Sequence, residues 1–143
     1  MIIGIIELAF ALLVIRFVFQ IHMRGSLLTL IVFSALFLLT TLGLGLFVST
    51  LVKTQQQAML ISVFFVIMPF ILLSGFAFPI ENMPESMQPV THLIPLTYFL
   101  TAVRGIYLKE EGWAELWTQA VILLGWGIAI LGIAVANFRK RLD

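Results

Sequence analysis

Residues 27–52 read LLTLIVFSALFLLTTLGLGLFVSTLV, without one charged side chain. A helix that must cross ~30 Å of hydrocarbon at ~1.5 Å per residue needs roughly 20 apolar residues in a row. This stretch is long enough, and working outward from it three more qualify. Residues 2–19 are interrupted only by Glu7 and Arg16. Residues 58–79 carry no charge, and residues 116–138 are uncharged up to a basic tail of Arg139, Lys140 and Arg141. Backbone groups cannot stay unpaired in lipid, so such runs are helices or barrel strands. Barrel strands are ~10 residues long and alternate apolar with polar. These runs are far longer and do not alternate. The expectation is an all-α integral membrane fold with four transmembrane helices.

Composition points the same way. Hydrophobic residues make up 62% of the chain and charged residues 10%, where a soluble domain carries about 25% charged. So few charges cannot cover a soluble surface. The net charge is +1, with no basic stripe, which argues against nucleic-acid binding. The absence of cysteine excludes disulfides, thiol nucleophiles and thiolate metal sites. Met1 is followed at once by Ile2 and Ile3, with no basic lead and no cleavage motif. The first run therefore reads as a span and not as a signal peptide. A start inside the hydrocarbon predicts that Met1 is internal to something longer.

The connections differ in kind. Residues 20–26 are short and polar, with Gln20, His22 and Arg24, and residues 53–57 are shorter still, KTQQQ. Residues 80–115 are long and rich in proline and charge. Within them Pro95 suits the first turn of a helix and Gly105 its end. Leu96, Phe99, Leu100, Val103 and Tyr107 share one helical face, while Thr97, Thr101 and Arg104 share another. This spacing predicts a short amphipathic or re-entrant helical segment between the third and fourth spans, too short to cross. Four spans put both ends on one side. Basic residues directly against helix ends favour a cytoplasmic location for both, with the 80–115 segment outside. Tyr98, Tyr107, Trp113 and Trp117 flank the outer end of the last span, as interface aromatics do.

Few residues offer chemistry. Glu7 is the only acid within a span, where a charge costs ~2.5–3.5 kcal/mol on insertion scales. It either faces a substrate path or an interhelical partner, or sits close enough to the headgroups to reach water. His22 and His92 both lie in connections, without the ligand spacing of a metal site. Gly43-Leu44-Gly45 lacks the third glycine and the preceding strand of a dinucleotide motif. No phosphate-binding loop is present, so the chain is not expected to hydrolyse ATP, and no cofactor is expected. Nothing clusters as a membrane-embedded enzyme would require. In the last span Gly125, Ala129, Gly132 and Ala136 form one small-residue face that suits close helix packing, within the chain or against a partner. Pro69 predicts a kink in the third span, and Ser74-Gly75 a further break near its end. Such a bent helix suits a moving gate and is as common in static bundles.

The order of several short stretches resembles the C-terminal portion of ABC-2 type transporter permeases. They are RGS at 24–26, LGLGLFVSTL at 42–51, KTQQQ at 53–57, LLSGFAFPIENMP at 72–84, IPLTYF at 94–99, VRGIY at 103–107 and the tail FRKRL at 138–142. The resemblance covers essentially the whole chain. It implies a six-helix membrane domain of the bacterial inner membrane, of which these spans are the last four. It implies a second permease subunit, identical or not, and a cytoplasmic ATPase subunit that supplies the energy. It implies export of amphipathic or lipid-like molecules. It places Pro79, Pro84, Pro95, Tyr98, Arg104 and Gly105 in short helices under an external gate. The family's first two spans, its external domain and its ATPase-contacting segment have no counterpart in these residues. The alternative from the residues alone is a small oligomeric secondary transporter or channel. That reading wants more intramembrane polar groups than Glu7, or an internal repeat.

Overall fold

The computed structural model describes residues 2–17, 25–109 and 112–140. Gln20, His22, Arg24, Glu111 and Arg141 lie outside the described residues, as do Val18 and Phe19 at the end of the first expected span. Every regular element among the described residues is helical: α1 (Ile2–Phe17), α2 (Leu27–Leu51), α3 (Gln55–Leu73), α4 (Gln88–Thr91), α5 (Pro95–Arg104) and α6 (Trp113–Lys140). Three helices are long and apolar enough to cross a membrane, namely α2, α3 and residues Trp113–Arg139 of α6. At ~1.5 Å per residue, the 25 residues of α2 reach ~38 Å. The described part of α1 is apolar but shorter, 16 residues.

The centre of the fold is the seam between α2 and α6. On α6 the buried residues are Leu116, Ala120, Leu123, Gly127, Ile130 and Ala134, which recur every three or four positions and so share one helical face. On α2 the matching face carries Leu30, Phe33, Thr40, Gly43 and Val48. Two glycines let the backbones close. A Cβ on Gly43 would lie 3.1 Å from Ile130 Cγ2, and one on Gly127 would lie 3.3 Å from both Leu39 Cδ2 and Thr40 Oγ1. In lipid, where apolar contact with a neighbour gains little over contact with acyl chains, such close approach and interhelical hydrogen bonds hold helices together. Thr40 Oγ1 lies 3.0 Å from Leu36 O of its own helix and 3.4 Å from Leu123 O of α6.

Helix α3 is attached to α2 by a tight turn. Val52 leaves the helix in an extended conformation. Thr54 then caps α3, its Oγ1 accepting the Gln57 N–H at 3.3 Å, while Gln57 Oε1 reaches back to the Lys53 N–H at 3.2 Å. This reciprocal pair is a close variant of the capping box, and it explains why a run of polar residues interrupts two apolar spans. α3 starts three residues before the expected span and ends at Leu73, short of Pro79.

The disturbance expected at Pro69 takes the form of a π turn over Ser62–Ile67. Pro69 has no N–H, and its ring crowds the carbonyl four residues back. The helix widens ahead of it, so that Met68 N–H bonds to Val63 O, five residues away. No residue of α3 is buried.

Beyond Leu73 the chain turns on Gly75, whose φ of +84° is left-handed, a conformation that glycine adopts without a Cβ penalty. Ala77 N–H returns to Ile71 O. A 3-10 turn at Ile80–Asn82 and α4 lead to α5. α5 packs on α2 and α6. Phe99 stacks on Phe37 with ring centroids 4.6 Å apart, and Ala102 and Ile106 are fully buried with Phe33, Leu116 and Leu123. Thr97, expected on a polar face, is buried instead, where its hydroxyl donates to Thr91 O at 2.8 Å. α5 stops at Arg104 with Gly105 at its cap, as expected, yet Gly105 does not turn the chain out of helical geometry. Its φ and ψ of −59° and −46° are right-handed helical, and glycine stops a helix where φ turns positive. The chain runs on through a π turn, Gly105–Lys109.

Candidate functional site

Three of the short stretches that stand apart in sequence meet at one end of the bundle. Arg104 Nη2, on the last turn of α5, donates to Gly75 O at 2.7 Å. Gly25 N–H, just ahead of α2, donates to Ile106 O at 2.9 Å. A Cβ on Gly25 would lie 2.8 Å from that same oxygen, so only glycine fits. The end of α5 is thus tied both to the turn after α3 and to the start of α2. Tyr98 OH donates to His92 O at 2.8 Å, which ties α5 to α4. Burial pushes the Tyr107 phenol above its ordinary pKa of 10.0.

Beside this clamp lies a cavity of about 530 Å³. Its polar lining comes from Glu81 of the 3-10 turn, Thr101 and Arg104 of α5, Lys109 of the π turn, and Glu115 and Gln119 of α6. Glu115 Oε2 accepts the Gly112 N–H and so caps the start of α6. Among the described residues Gln119 Oε1 is buried with no hydrogen-bond donor, and the hydroxyl oxygen of Ser74 is buried with no partner. Buried polar atoms without partners are few in folded proteins, and these two lie on α6 and at the end of α3. Among the described residues no group of three or more His, Asp and Glu could hold a metal ion.

The remaining sequence candidates scatter. Glu7 is exposed on α1, the helix that docks on α2 through Gly4, where a Cβ would lie 2.6 Å from Leu38 Cδ2. Gly125, Ala129, Gly132 and Ala136 are all exposed, and a Cβ on Gly125 or Gly132 would meet nothing within 4 Å. Their face has no neighbour among the described residues. Pro69 sits between the π turn and the α3 end, Pro79 lines the cavity, Pro84 accepts the Met87 N–H, and Pro95 opens α5. A second, apolar cleft of about 360 Å³ separates α2 from α3, between Thr41, Gly45 and Val48 on one wall and Ser62, Val66 and Phe70 on the other.

The sequence model of the family described as "ABC-2 type transporter" matches residues 1–108. The chain belongs to the ABC-2 type transporter family. The match takes in α1 to α5, and curated relatives extend it through α6. The chain is 34% identical over 140 residues to the probable multidrug ABC transporter permease YbhS of Escherichia coli, covering 98% of this chain and 37% of that protein. It is 39% identical over 127 residues to the probable multidrug ABC transporter permease YbhR of the same organism, covering 86% of this chain and 33% of that one. It is 24% identical over 139 residues to ABC transporter G family member 20 of Dictyostelium discoideum, covering 96% and 19%. The chain thus spans about a third of the length of these bacterial relatives. No solved structure matches.

In this ABC-2 chain, Gly25, Gly43, Gly127 and Gln119 are the contact residues that sequence reasoning missed. Gly127 carried a usable signal, since it falls in register with Leu123 and Ile130. Gly25 and Gln119 carried none, because their roles depend on what the fold brings beside them.

Proposed function

We propose that this chain forms the last four membrane spans of a permease subunit in an ATP-driven exporter of amphipathic or lipid-like molecules. The observation that carries the reading is the family match over residues 1–108, together with near end-to-end similarity to proteins named as ABC transporter permeases. In this reading α1 is the first of the four spans, both ends of the chain face the cytoplasm of a bacterial cell, and α5 dips into the outer leaflet. ATP is hydrolysed by a separate cytoplasmic subunit, and a second permease subunit completes the path.

The distribution of apolar surface supports the need for neighbours. α3 buries none of its residues, and on α1 Ile2, Ile3, Ile5, Ile6, Phe10 and Leu13 are all more than half exposed. Lipid can cover such helices, and so can spans of the same or a second subunit. The exposed Gly125, Ala129, Gly132 and Ala136 face is a surface on which one of them can pack closely. Glu7, exposed on α1, is then expected to meet a polar partner or the path in the assembled subunit.

The test is to express this chain with and without the upstream sequence of its gene, alongside the cognate ATPase. Pull-down of the ATPase and transport-coupled ATP hydrolysis are measured. Coupling is expected only with the longer chain, and in that chain Glu7→Ala lowers transport at equal protein level. Full coupling by these 143 residues alone would return the small self-sufficient transporter to favour.

A further inference from the structure

α2 and α6 run in the same direction. Phe33 meets Trp113, Thr40 meets Leu123 and Gly43 meets Ile130, so residue numbers rise together along the seam. The last turns of both helices therefore share one end of the bundle, opposite the Arg104–Gly75 clamp. A groove of about 420 Å³ opens there, lined by Leu46 of α2 and by Ala134, Val135, Phe138 and Arg139 of α6. Ala134 is buried, while Leu46, Val135 and Phe138 are each about half exposed or more. The wall is apolar apart from Arg139, which lies exposed in the last turn of α6. No hydrogen bond or ion pair to a described residue occupies its guanidinium.

Charge is sorted between the two ends. Of the described acids, Glu81, Glu85 and Glu115 belong to the clamp end. Glu7 lies one turn beyond Gly4, which meets the middle of α2 at Leu38. The groove end has Lys53, exposed just past the end of α2, and Arg139. In the sequence Lys140 and Arg141 follow, with Asp143 the one acid of the tail. A ligand for this groove needs an apolar tail and a negative head. An acyl chain suits the wall, and a phosphate accepts from the planar fork of the guanidinium. A zwitterionic head would bring its ammonium to an end where every described charge is basic. A head of net negative charge gains from each of those bases.

We propose that this groove holds a phospholipid of net negative charge, the chemistry of a phosphatidylglycerol. One acyl chain lies against Leu46, Val135 and Phe138, and the phosphate meets Arg139. The occupant is a lipid and not a soluble phosphate, because everything on the wall besides the guanidinium is apolar. The inference goes beyond the permease reading and rests on it only in placing the bundle in a bilayer. It does not depend on which end faces the cytoplasm.

The experiment uses the full chain with its upstream sequence, in nanodiscs of equal parts phosphatidylcholine, phosphatidylethanolamine and phosphatidylglycerol with the same acyl chains. Lipid retained after stripping is counted by native mass spectrometry, with neither ATPase nor transport involved. Failure of the exporter reading therefore leaves this measurement intact. Phosphatidylglycerol is expected to be retained about fivefold over either other lipid, the worth of one base at an anionic surface. Arg139→Gln brings the three lipids to parity. Lys53→Gln removes the same charge from the same end, but from a residue that is not on the groove wall, and leaves the preference intact. Leu46→Trp fills the groove without touching a charge and lowers the phosphatidylglycerol retained by a similar factor. All three positions are exposed, so each variant is expected to keep the unfolding midpoint of the unaltered chain. If Leu46→Trp lowers it, the two charge variants carry the test. Equal retention of the three lipids by the unaltered chain, as when an upstream span or a second copy covers the groove, overturns the proposal. Equal loss from Arg139→Gln and Lys53→Gln overturns it too, since the preference then belongs to the general charge of this end. So does a stable Leu46→Trp chain that retains phosphatidylglycerol as before.

Discussion

Gly25 shows what a single residue contributes to the clamped end of the bundle. Its N–H bonds to Ile106 O, and the same oxygen occupies the space a Cβ would need. The obstacle is backbone, which cannot rotate away as a side-chain tip can. Gly25→Ala must push the Ile106 turn off α2 or break the bond, at a cost of about 1–3 kcal/mol, the range for overpacked interiors. Gly45→Ala is the matched control, because a Cβ there meets nothing within 4 Å, and alanine favours a helix interior over glycine by about 1 kcal/mol. Thermal unfolding in detergent is expected to show a lower midpoint for Gly25→Ala, and an unchanged or slightly higher one for Gly45→Ala. Equal midpoints would mean that the Ile106 turn yields at no cost. The tripeptide at 24–26 is plain in the sequence as a family mark. The oxygen that forbids its side chain comes from a residue far along the chain, and no local pattern carries that information.

At the scale of the element, α6 carries two faces that both look suited to packing, and the structure uses the less obvious one. The face of Gly125, Ala129, Gly132 and Ala136 is made wholly of small residues, which is why it draws the eye. The face buried against α2 mixes Leu116, Leu123 and Ile130 with Ala120, Gly127 and Ala134. Its large side chains fill the groove while Gly127 makes room for Leu39 and Thr40. Three apolar helices long enough to cross a membrane were legible because that depends on composition alone, although α3 begins three residues early and stops six short of its expected end. Which stripe packs was not, because that depends on the facing helix. Gly127→Leu is expected to lower the unfolding midpoint clearly, and Thr40→Val to lower it slightly, through a stability loss of about 0.6 kcal/mol, the mean for an interhelical hydrogen bond in a bilayer. Gly132→Leu, on the open face, leaves the midpoint of the isolated chain unchanged. In the assembled permease it weakens association, read as a shift toward smaller species in size-exclusion chromatography. A large loss of stability from Gly132→Leu in the isolated chain would place α6 the other way round.

At the scale of the whole molecule, the open question is which end of the bundle faces the cell interior. Charge counting is nearly silent, since Lys53 and the basic tail at one end are balanced by Arg16, Arg24, Arg104 and Lys109 at the other. The structure changes the weight of one of these charges. Arg104 is held against Gly75 O and lines a cavity with two acids, so it serves the fold and counts for less as a free topogenic charge. Arg139 and Lys140 sit in the last turn of α6, directly at a helix end, where the positive-inside rule is strongest. On the proposed reading the turn at 53–57 and the tail are therefore expected in the cytoplasm, and the segment from the 3-10 turn to α5 outside. The chain has no cysteine, which makes the measurement clean. Gln56 and Glu85 are both exposed, one in the first turn of α3 and one between the 3-10 turn and α4. Single cysteines at the two positions, treated with an impermeant maleimide on intact cells, are expected to react at 85 and to react at 56 only after permeabilisation. The reverse pattern would invert the bundle, put the cavity beside Arg104 at the cytoplasmic leaflet, and make an external gate at this end impossible.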